Sequence, residues 1–136
     1  MSLFDWKPIY NTGVETVDTQ HLKLVGYMNQ YHDAVAAGSI PEAKSVLAAL
    51  VRYTRIHFAD EEAMMQRHKY ADYAPHREMH VKLLANVERL VAAYQADPSA
   101  KNAGTLGDYL KTWLANHILG IDKKYVPCVL EGKTAG

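Results

Sequence analysis

Residues 76–94 read HREMHVKLLANVERLVAAY, and their apolar and histidine side chains recur at alternating steps of four and three residues. This period is typical of an amphipathic α-helix that buries one face. It predicts a helix over about residues 73–95, with Asp72 as the N-cap and Pro75 in the first turn. The residues of the buried stripe are His76, His80, Leu83, Val87, Leu90 and Tyr94.

The first five residues of this stretch, HREMH at 76–80, place two histidines on one face of the predicted helix. Residues four apart project from nearly the same side, because each residue turns the helix by ~100°. Such a pair is suited to bind a metal ion. The same spacing also occurs on solvated helix faces, so the motif alone leaves both interpretations open.

The composition favours one globular domain with a real core. The chain has 136 residues, 49% of them hydrophobic, which is the length of a single domain. Lys plus Arg and Asp plus Glu number 15 each, and the formal net charge is zero. This balance gives no electrostatic footprint for nucleic acid or for an anionic membrane surface.

From the sequence we expect no signal for export or membrane insertion. One cysteine, Cys128, excludes an intrachain disulfide and fits a reducing compartment. No apolar run approaches the ~20 residues that span a bilayer, and the N-terminus lacks a signal-peptide pattern. We therefore expect a cytoplasmic protein that is not an integral membrane protein.

Three further amphipathic patterns predict helices over about residues 19–37, 40–66 and 105–121. Four helices with short connections are typical of an all-α, up-down-up-down four-helix bundle. Residues 1–17 are predicted to form an extended N-terminal arm. The N-caps expected for these three helices are Asp18, Ser39 and Thr105.

The predicted organisation is a single domain over residues 1–136. The four-helix bundle is expected to occupy residues 18–122, between the arm and a C-terminal tail at residues 123–136. No low-complexity segment, linker or clear repeat divides the chain.

Six ionisable side chains lie on stripes that should face the core. Burying so many without partners would cost several kcal/mol or more, and a solvated face does not fit their positions. The helix starts and ends alternate along the bundle, so all six are expected at the same end of it. They are His21, His57, Glu61, His76, His80 and His117.

Spacing alone does not place Asp122 in this group. It follows His117 by five residues, or ~140° around a regular α-helix. Asp122 can reach the group only if the last turn is irregular or if a second metal lies beside the first.

A count of coordination positions fits two metal ions. Two six-coordinate iron ions offer about twelve positions. Five histidines, two bridging carboxylates and one bridging solvent oxygen fill all of these but one. The remaining position has room for one small ligand. Imidazole also suits Cu, Zn and Ni, so the ligand types do not name the metal.

Four short motifs together carry a resemblance to a known family. They are DTQH at 18–21, HFADEE at 57–62, HREMH at 76–80 and HILGID at 117–122. In this order and at these separations, the chain resembles the hemerythrins, specifically the stand-alone bacterial ones, over nearly its whole length.

The resemblance implies a non-haem di-iron centre, with an oxo or hydroxo group bridging two ions that cycle between Fe2+ and Fe3+. It implies that Glu61 and Asp122 bridge the ions and that the ion bound by His21 and His57 keeps the open position. The other ion would be bound by His76, His80 and His117. The matching positions for an apolar O2 pocket are Leu24, Phe58, Trp113, Leu114 and Ile118.

By the same resemblance, we expect reversible dioxygen binding for transport, storage or delivery, and no enzymatic activity. The expected partners are dioxygen and an O2-consuming enzyme as its recipient, and the protein is expected to be a monomer. The alternatives left open are a di-iron oxidase or peroxidase, a sensor of NO, O2 or redox state that uses the same site, and a structural zinc bundle.

Overall fold

The computed structural model of the chain describes residues 3–135, and from residue 131 onward it describes only the backbone. It contains a 3-10 turn at Pro8–Tyr10 and five α-helices, with no strand among these residues. A π-helical turn, Ile118–Asp122, joins the fourth helix to the fifth. The helices are α1 (Glu15–Ala36), α2 (Ile40–Arg67), α3 (Tyr73–Ala96), α4 (Ala100–His117) and α5 (Lys123–Ala135).

The first four helices form an up-down-up-down four-helix bundle, which confirms the predicted fold class. α1 packs against α2, α2 against α3, and α3 against α4, and α4 closes the bundle against α1. Short links at 37–39, 68–72 and 97–99 make successive helices antiparallel. In the part of the chain that the structure describes, no helix is long and apolar enough to cross a membrane.

The apolar core fills the bundle along most of its length. Its fully buried residues include Met28 from α1, Leu47 from α2 and Leu106 from α4. The buried Tyr31 hydroxyl donates a hydrogen bond to the Ala103 carbonyl oxygen at 2.8 Å, which ties α1 to α4. The buried ionisable side chains lie at the other end of the bundle from this hydrogen bond, where α1 and α3 begin.

The first helix begins earlier than its sequence pattern predicts. α1 begins at Glu15 rather than near residue 19, so Asp18 lies in its first turn and is not the N-cap. The Asp18 carboxylate instead accepts hydrogen bonds from Thr12 N and Thr12 Oγ1, both at 2.8 Å, and from Gly13 N at 3.1 Å. Asp18 therefore holds the end of the N-terminal arm against the helix.

The fourth helix also begins early, at Ala100 rather than near residue 105, so Thr105 is not its cap. The cap is Ser99, whose hydroxyl oxygen accepts a hydrogen bond from Asn102 N at 3.1 Å. The Asn102 side chain in turn donates to the Asp97 carbonyl oxygen at 2.8 Å. These bonds allow the helix to start directly after the turn.

The caps predicted for the other helices are in the right place but do not bond as expected. Ser39 and Asp72 occupy the N-cap positions of α2 and α3, yet neither side chain makes a capping hydrogen bond.

The segment predicted as a C-terminal tail is helical, since α5 spans Lys123–Ala135. The predicted boundary at residue 122 therefore falls inside a run of helix, although Gly136 lies outside the described residues. Tyr125 and Val129 of α5 pack with Val17 of α1 and Met65 of α2 in a second, smaller apolar cluster. α5 thus covers the end of the bundle where the ionisable side chains lie.

Alanine substitutions at two glycines in or next to α1 should change the free energy of unfolding in opposite directions. Gly38, after α1, has a φ of 72°, which an L side chain rarely adopts, whereas Gly26 is inside α1 with open space at its Cβ. We expect Gly38→Ala to lower the free energy of unfolding by about 1–2 kcal/mol and Gly26→Ala to raise it by about 0.5–1 kcal/mol. Urea unfolding of the metal-free protein measures both free-energy changes. Changes of the same sign would contradict a left-handed backbone at Gly38 or a regular helical backbone at Gly26.

Candidate metal centre

Seven ligand-type side chains meet at one end of the bundle, in two overlapping groups close enough to hold metal ions. Each is at most 4% exposed to solvent. They come from all four bundle helices and the π turn, so only the assembled bundle forms the site. The seven residues are His21, His57, Glu61, His76, His80, His117 and Asp122.

Asp122 reaches this group because of the π turn at Ile118–Asp122. In a regular α-helix its side chain would be rotated by ~140° from that of His117. A π turn is bonded from residue i to residue i+5, so it takes one more residue per turn and returns residue i+5 to the side of residue i. Asp122 Oδ1 accordingly lies 2.8 Å from His117 Nε2.

The Glu61 carboxylate joins two sets of histidines. Its Oε1 atom lies 3.0 Å from His76 Nε2 and 2.9 Å from His80 Nε2. Its Oε2 atom faces the other way and lies 3.5 Å from His57 Nε2. The two oxygens of one carboxylate therefore point to different places in the centre.

Asp122 divides its oxygens in the same way. Oδ1 is close to His117 Nε2 and lies 3.2 Å from His76 Nε2, whereas Oδ2 lies 3.0 Å from His21 Nε2. The centre thus has a three-histidine half and a two-histidine half that share both carboxylates. The three-histidine half is formed by His76, His80 and His117, and the two-histidine half by His21 and His57.

The spacing of these atoms fits coordination of metal ions. Neighbouring ligand atoms of an octahedral ion with bonds of about 2.1 Å lie about 3 Å apart. The five shortest contacts between Nε2 atoms and carboxylate oxygens span 2.8 to 3.2 Å. Buried polar atoms without a hydrogen-bond partner require an explanation such as a bound ion. Such atoms here include Nε2 of His21, His80 and His117 and both carboxylate oxygens of Asp122.

Burial and the close contacts between imidazoles and carboxylates shift the pKa values of several residues in the centre. Burial lowers the pKa of His57 to about 4, so its imidazole is neutral at pH 7. For His117, burial acts against the charged form, but Asp122 outweighs it and raises the pKa to about 10. Burial also disfavours the charged Glu61, yet the neighbouring imidazoles of His117, His76 and His80 hold its pKa well below the usual range. A metal ion and these protons compete for the same atoms.

A hydrogen-bond chain orients His57. Gln20 Nε2 donates to Asp60 Oδ2 at 2.8 Å, and since a carboxylate only accepts, the amide nitrogen must face Asp60. The Gln20 carbonyl oxygen, Oε1, therefore faces His57 Nδ1 at 2.6 Å, and Nδ1 carries the hydrogen. This leaves the lone pair on His57 Nε2, the nitrogen that points into the centre.

His80 is oriented by a charged partner. Its Nδ1 lies 2.9 Å from Glu62 Oε2, and the acceptor-only carboxylate again requires the hydrogen on Nδ1. Arg77 Nε lies 3.6 Å from Glu62 Oε1 and balances part of the charge. His80 Nε2 is thereby left free to act as a ligand.

Tyr125 of α5 donates a hydrogen bond from its buried hydroxyl to Glu61 Oε2 at 2.9 Å. The sequence pattern did not single out this residue, because position 125 falls in the predicted tail. The pattern also did not single out Gln20, Asp60 and Glu62, although they lie inside the motifs DTQH and HFADEE. Their partners are on neighbouring helices, and a motif does not show such contacts.

The residues predicted to line an apolar pocket are all buried in the main core. The ring of Phe58 stacks on that of His80 with centroids 3.8 Å apart, and Trp113 meets Phe58 edge-on at 6.1 Å. The Phe58 ring therefore packs directly against an imidazole of the centre, and Trp113 packs behind it. The other three predicted pocket residues, each at most 1% exposed, are Leu24, Leu114 and Ile118.

A four-helix bundle whose core holds five histidines and two shared carboxylates defines a class of metal-binding bundle proteins. The family model Hemerythrin HHE cation binding domain matches residues 12–129. The chain therefore belongs to the hemerythrin family, which confirms the resemblance seen in its motifs.

Individual relatives that match nearly the full length of the chain support the same family. The chain is 35% identical over 130 residues to the bacteriohemerythrin of Methylococcus capsulatus, covering 95% of this chain and 98% of that one. It is 31% identical over 120 residues to the myohemerythrin of Sipunculus nudus, covering 88% of each. The crystal structure of a wild-type hemerythrin matches with a TM-score of 0.85 and 34% identity, over 94% of this chain and 98% of that chain.

Replacing Tyr125 by phenylalanine should destabilise the metal-free protein, because the buried Glu61 carboxylate loses a hydroxyl donor. Since hydrogen bonds to charged groups contribute about 1.5–3 kcal/mol, we expect a decrease of this size in the free energy of unfolding. The control is Tyr94→Phe, a buried tyrosine at the opposite end of the bundle. Equal effects of the two variants in chemical unfolding would contradict a specific role for the Tyr125 hydroxyl.

Proposed function

We propose that this centre holds two iron ions joined by a bridging oxo or hydroxo group. The three-histidine half would hold one ion, the two-histidine half the other, and Glu61 and Asp122 would bridge them. The observation that carries this proposal is the division of each carboxylate, with one oxygen close to each half. One ion would leave one half of the buried ligand atoms without a partner.

We further propose that the centre binds dioxygen reversibly for transport, storage or delivery. With five histidines, two bridging carboxylates and a bridging oxygen as ligands, two six-coordinate iron ions would have one open position, in the two-histidine half. When bound, the ferrous ions would supply the electrons for reversible O2 binding. The chain's own contribution is to hold the ligands in place and to keep water out.

The surroundings of the centre support a carrier over an enzyme. The Tyr125 hydroxyl lies close to Glu61, but burial and the charges of Glu61 and Asp122 raise its pKa far above the usual range. Tyr125 therefore keeps its proton and acts as a hydrogen-bond donor, not as an acid or base. Phe58 presents the apolar face of its ring to the His80 imidazole, and Trp113 packs edge-on against Phe58. A dry site of this kind slows the proton entry that irreversible oxidation needs.

An anaerobic titration with ferrous iron tests the proposed function. Two iron ions per chain should bind, admission of O2 should produce a charge-transfer colour, and vacuum should remove it. Irreversible conversion to the ferric form with release of peroxide or water would indicate an oxidase, a peroxidase or a sensor. A protein that contains zinc and rejects iron would indicate a structural zinc bundle.

Removing one histidine from either half should lower the iron content and abolish O2 binding. His57→Ala affects the two-histidine half and His80→Ala the three-histidine half, and each removes an imidazole that lies beside the Glu61 carboxylate. The matched control is His32→Ala in α1, outside both ligand groups. Metal analysis and the O2-dependent spectrum measure the effects. Full iron content with normal O2 uptake in both ligand variants would refute the site.

Opening the apolar surroundings should speed loss of the O2-binding form. Leu114→Ala removes a side chain that is 1% exposed, and we expect water to reach the centre and autoxidation to become several times faster. Leu110→Ala, one turn earlier in α4 and fully buried, controls for the lost core volume, which costs about 2–5 kcal/mol in either case. Equal autoxidation rates in the two variants would contradict a pocket role for Leu114.

A further inference from the structure

The two histidines with an outer hydrogen-bond partner differ in the charge of that partner. His80 Nδ1 lies 2.9 Å from the carboxylate oxygen Oε2 of Glu62. His57 Nδ1 lies 2.6 Å from the neutral amide oxygen Oε1 of Gln20. His80 belongs to the three-histidine half of the centre and His57 to the two-histidine half. The three-histidine half thus has a charged outer partner, and the two-histidine half has a neutral one.

Both partners are themselves held in place. The Glu62 side chain is 21% exposed, and Arg77 Nε lies 3.6 Å from its Oε1 atom. Gln20 is fixed by its bond to Asp60 Oδ2 at 2.8 Å, which prevents the amide from presenting its nitrogen to His57. The difference in charge is therefore built into the helix contacts and is not an accident of mobile side chains.

The charge of the outer partner changes the imidazole as a ligand. A carboxylate attracts the Nδ1 hydrogen more strongly than an amide oxygen does, so it leaves more electron density on Nε2. A more basic imidazole binds a metal ion more tightly and favours its higher charge. Outer partners of this kind typically change metal affinity by about 10–100-fold.

We propose that Glu62 makes the three-histidine half the tighter metal site and the one that more readily becomes ferric, while Gln20, oriented by Asp60, keeps the two-histidine half weaker and more readily ferrous. This inference rests on the proposed two-metal centre. It assigns Glu62, Gln20 and Asp60 as positioning residues that act through His80 and His57. The half with the open position is thereby protected from oxidation in the absence of O2 binding.

An anaerobic titration of the metal-free protein with Co2+, followed by its d–d absorption, separates the two binding steps. Glu62→Gln keeps an oxygen acceptor for His80 Nδ1–H but removes the charge. We expect the first dissociation constant to rise about tenfold and the second to stay within twofold. Glu62→Asp should restore the first step. Glu88→Gln, which removes a carboxylate paired with Arg55 at the surface, should change neither step.

The His57→Ala background assigns the affected step. It removes a ligand of the two-histidine half, so the step that remains belongs to the three-histidine half. Adding Glu62→Gln should weaken this step by the same factor as before. In iron-loaded protein, Glu62→Gln should also raise the reduction potential of one ion, which a purely structural role would not do.

The reverse exchange tests the other half. Gln20→Glu combined with Asp60→Asn keeps both hydrogen bonds but places the carboxylate against His57, with the amide now donating to it. We expect the second dissociation constant for Co2+ to fall about tenfold and autoxidation of iron-loaded protein to become faster. Asp60→Asn alone leaves a neutral acceptor against His57 and should change the second step by less than twofold.

The outcomes separate this inference from the function on which it rests. Binding of fewer than two Co2+ ions by the unaltered protein would overturn the two-metal centre itself. Two ions with a first step unchanged by Glu62→Gln, or with both steps weakened equally, would overturn only the unequal role of the outer partners.

Discussion

Two carboxylates that water does not reach, Glu61 and Asp122, impose the constraint on which the rest of the structure depends. A buried charge costs several kcal/mol unless close partners compensate it. Here the partners are imidazoles, and no single helix carries enough of them. The bundle therefore has to bring side chains from every helix to one depth, next to the main apolar core. Buried imidazole nitrogens and carboxylate oxygens without hydrogen-bond partners would destabilise the protein if no ion were bound, and the same atoms suit the site to metal ions.

This constraint explains the irregular end of the fourth helix. A regular helix would turn Asp122 away from His117, and the π turn adds the residue that returns it. The helix then continues as α5, which places Tyr125 against Glu61 Oε2 and covers the centre with an apolar cluster. The position of Asp122 in the centre and the closure of the bundle thus depend on one five-residue segment.

The outer contacts extend the centre toward the surface without opening it. Asp60 of α2 holds Gln20 of α1, which contacts His57. Glu62 of α2 contacts His80 of α3. Through these bonds, surface charge decides which imidazole nitrogen carries hydrogen and how basic the other one is. The aromatic ring of Phe58 contacts His80 by stacking, and Trp113 packs edge-on against Phe58. Ligand orientation and exclusion of water are therefore handled by separate sets of residues.

The sequence by itself determined the four helices, their order and the depth at which six ionisable side chains meet, because helical period and short links leave few other arrangements. Local patterns were less reliable at helix ends: Asp18 and Thr105 are not caps, and residues 123–135 are helical. Only the tertiary structure decided how Asp122 reaches the centre and which partners Gln20, Glu62 and Tyr125 contact. The physical reason is that a π turn and contacts between helices depend on packing, which the spacing of residues along one helix does not encode.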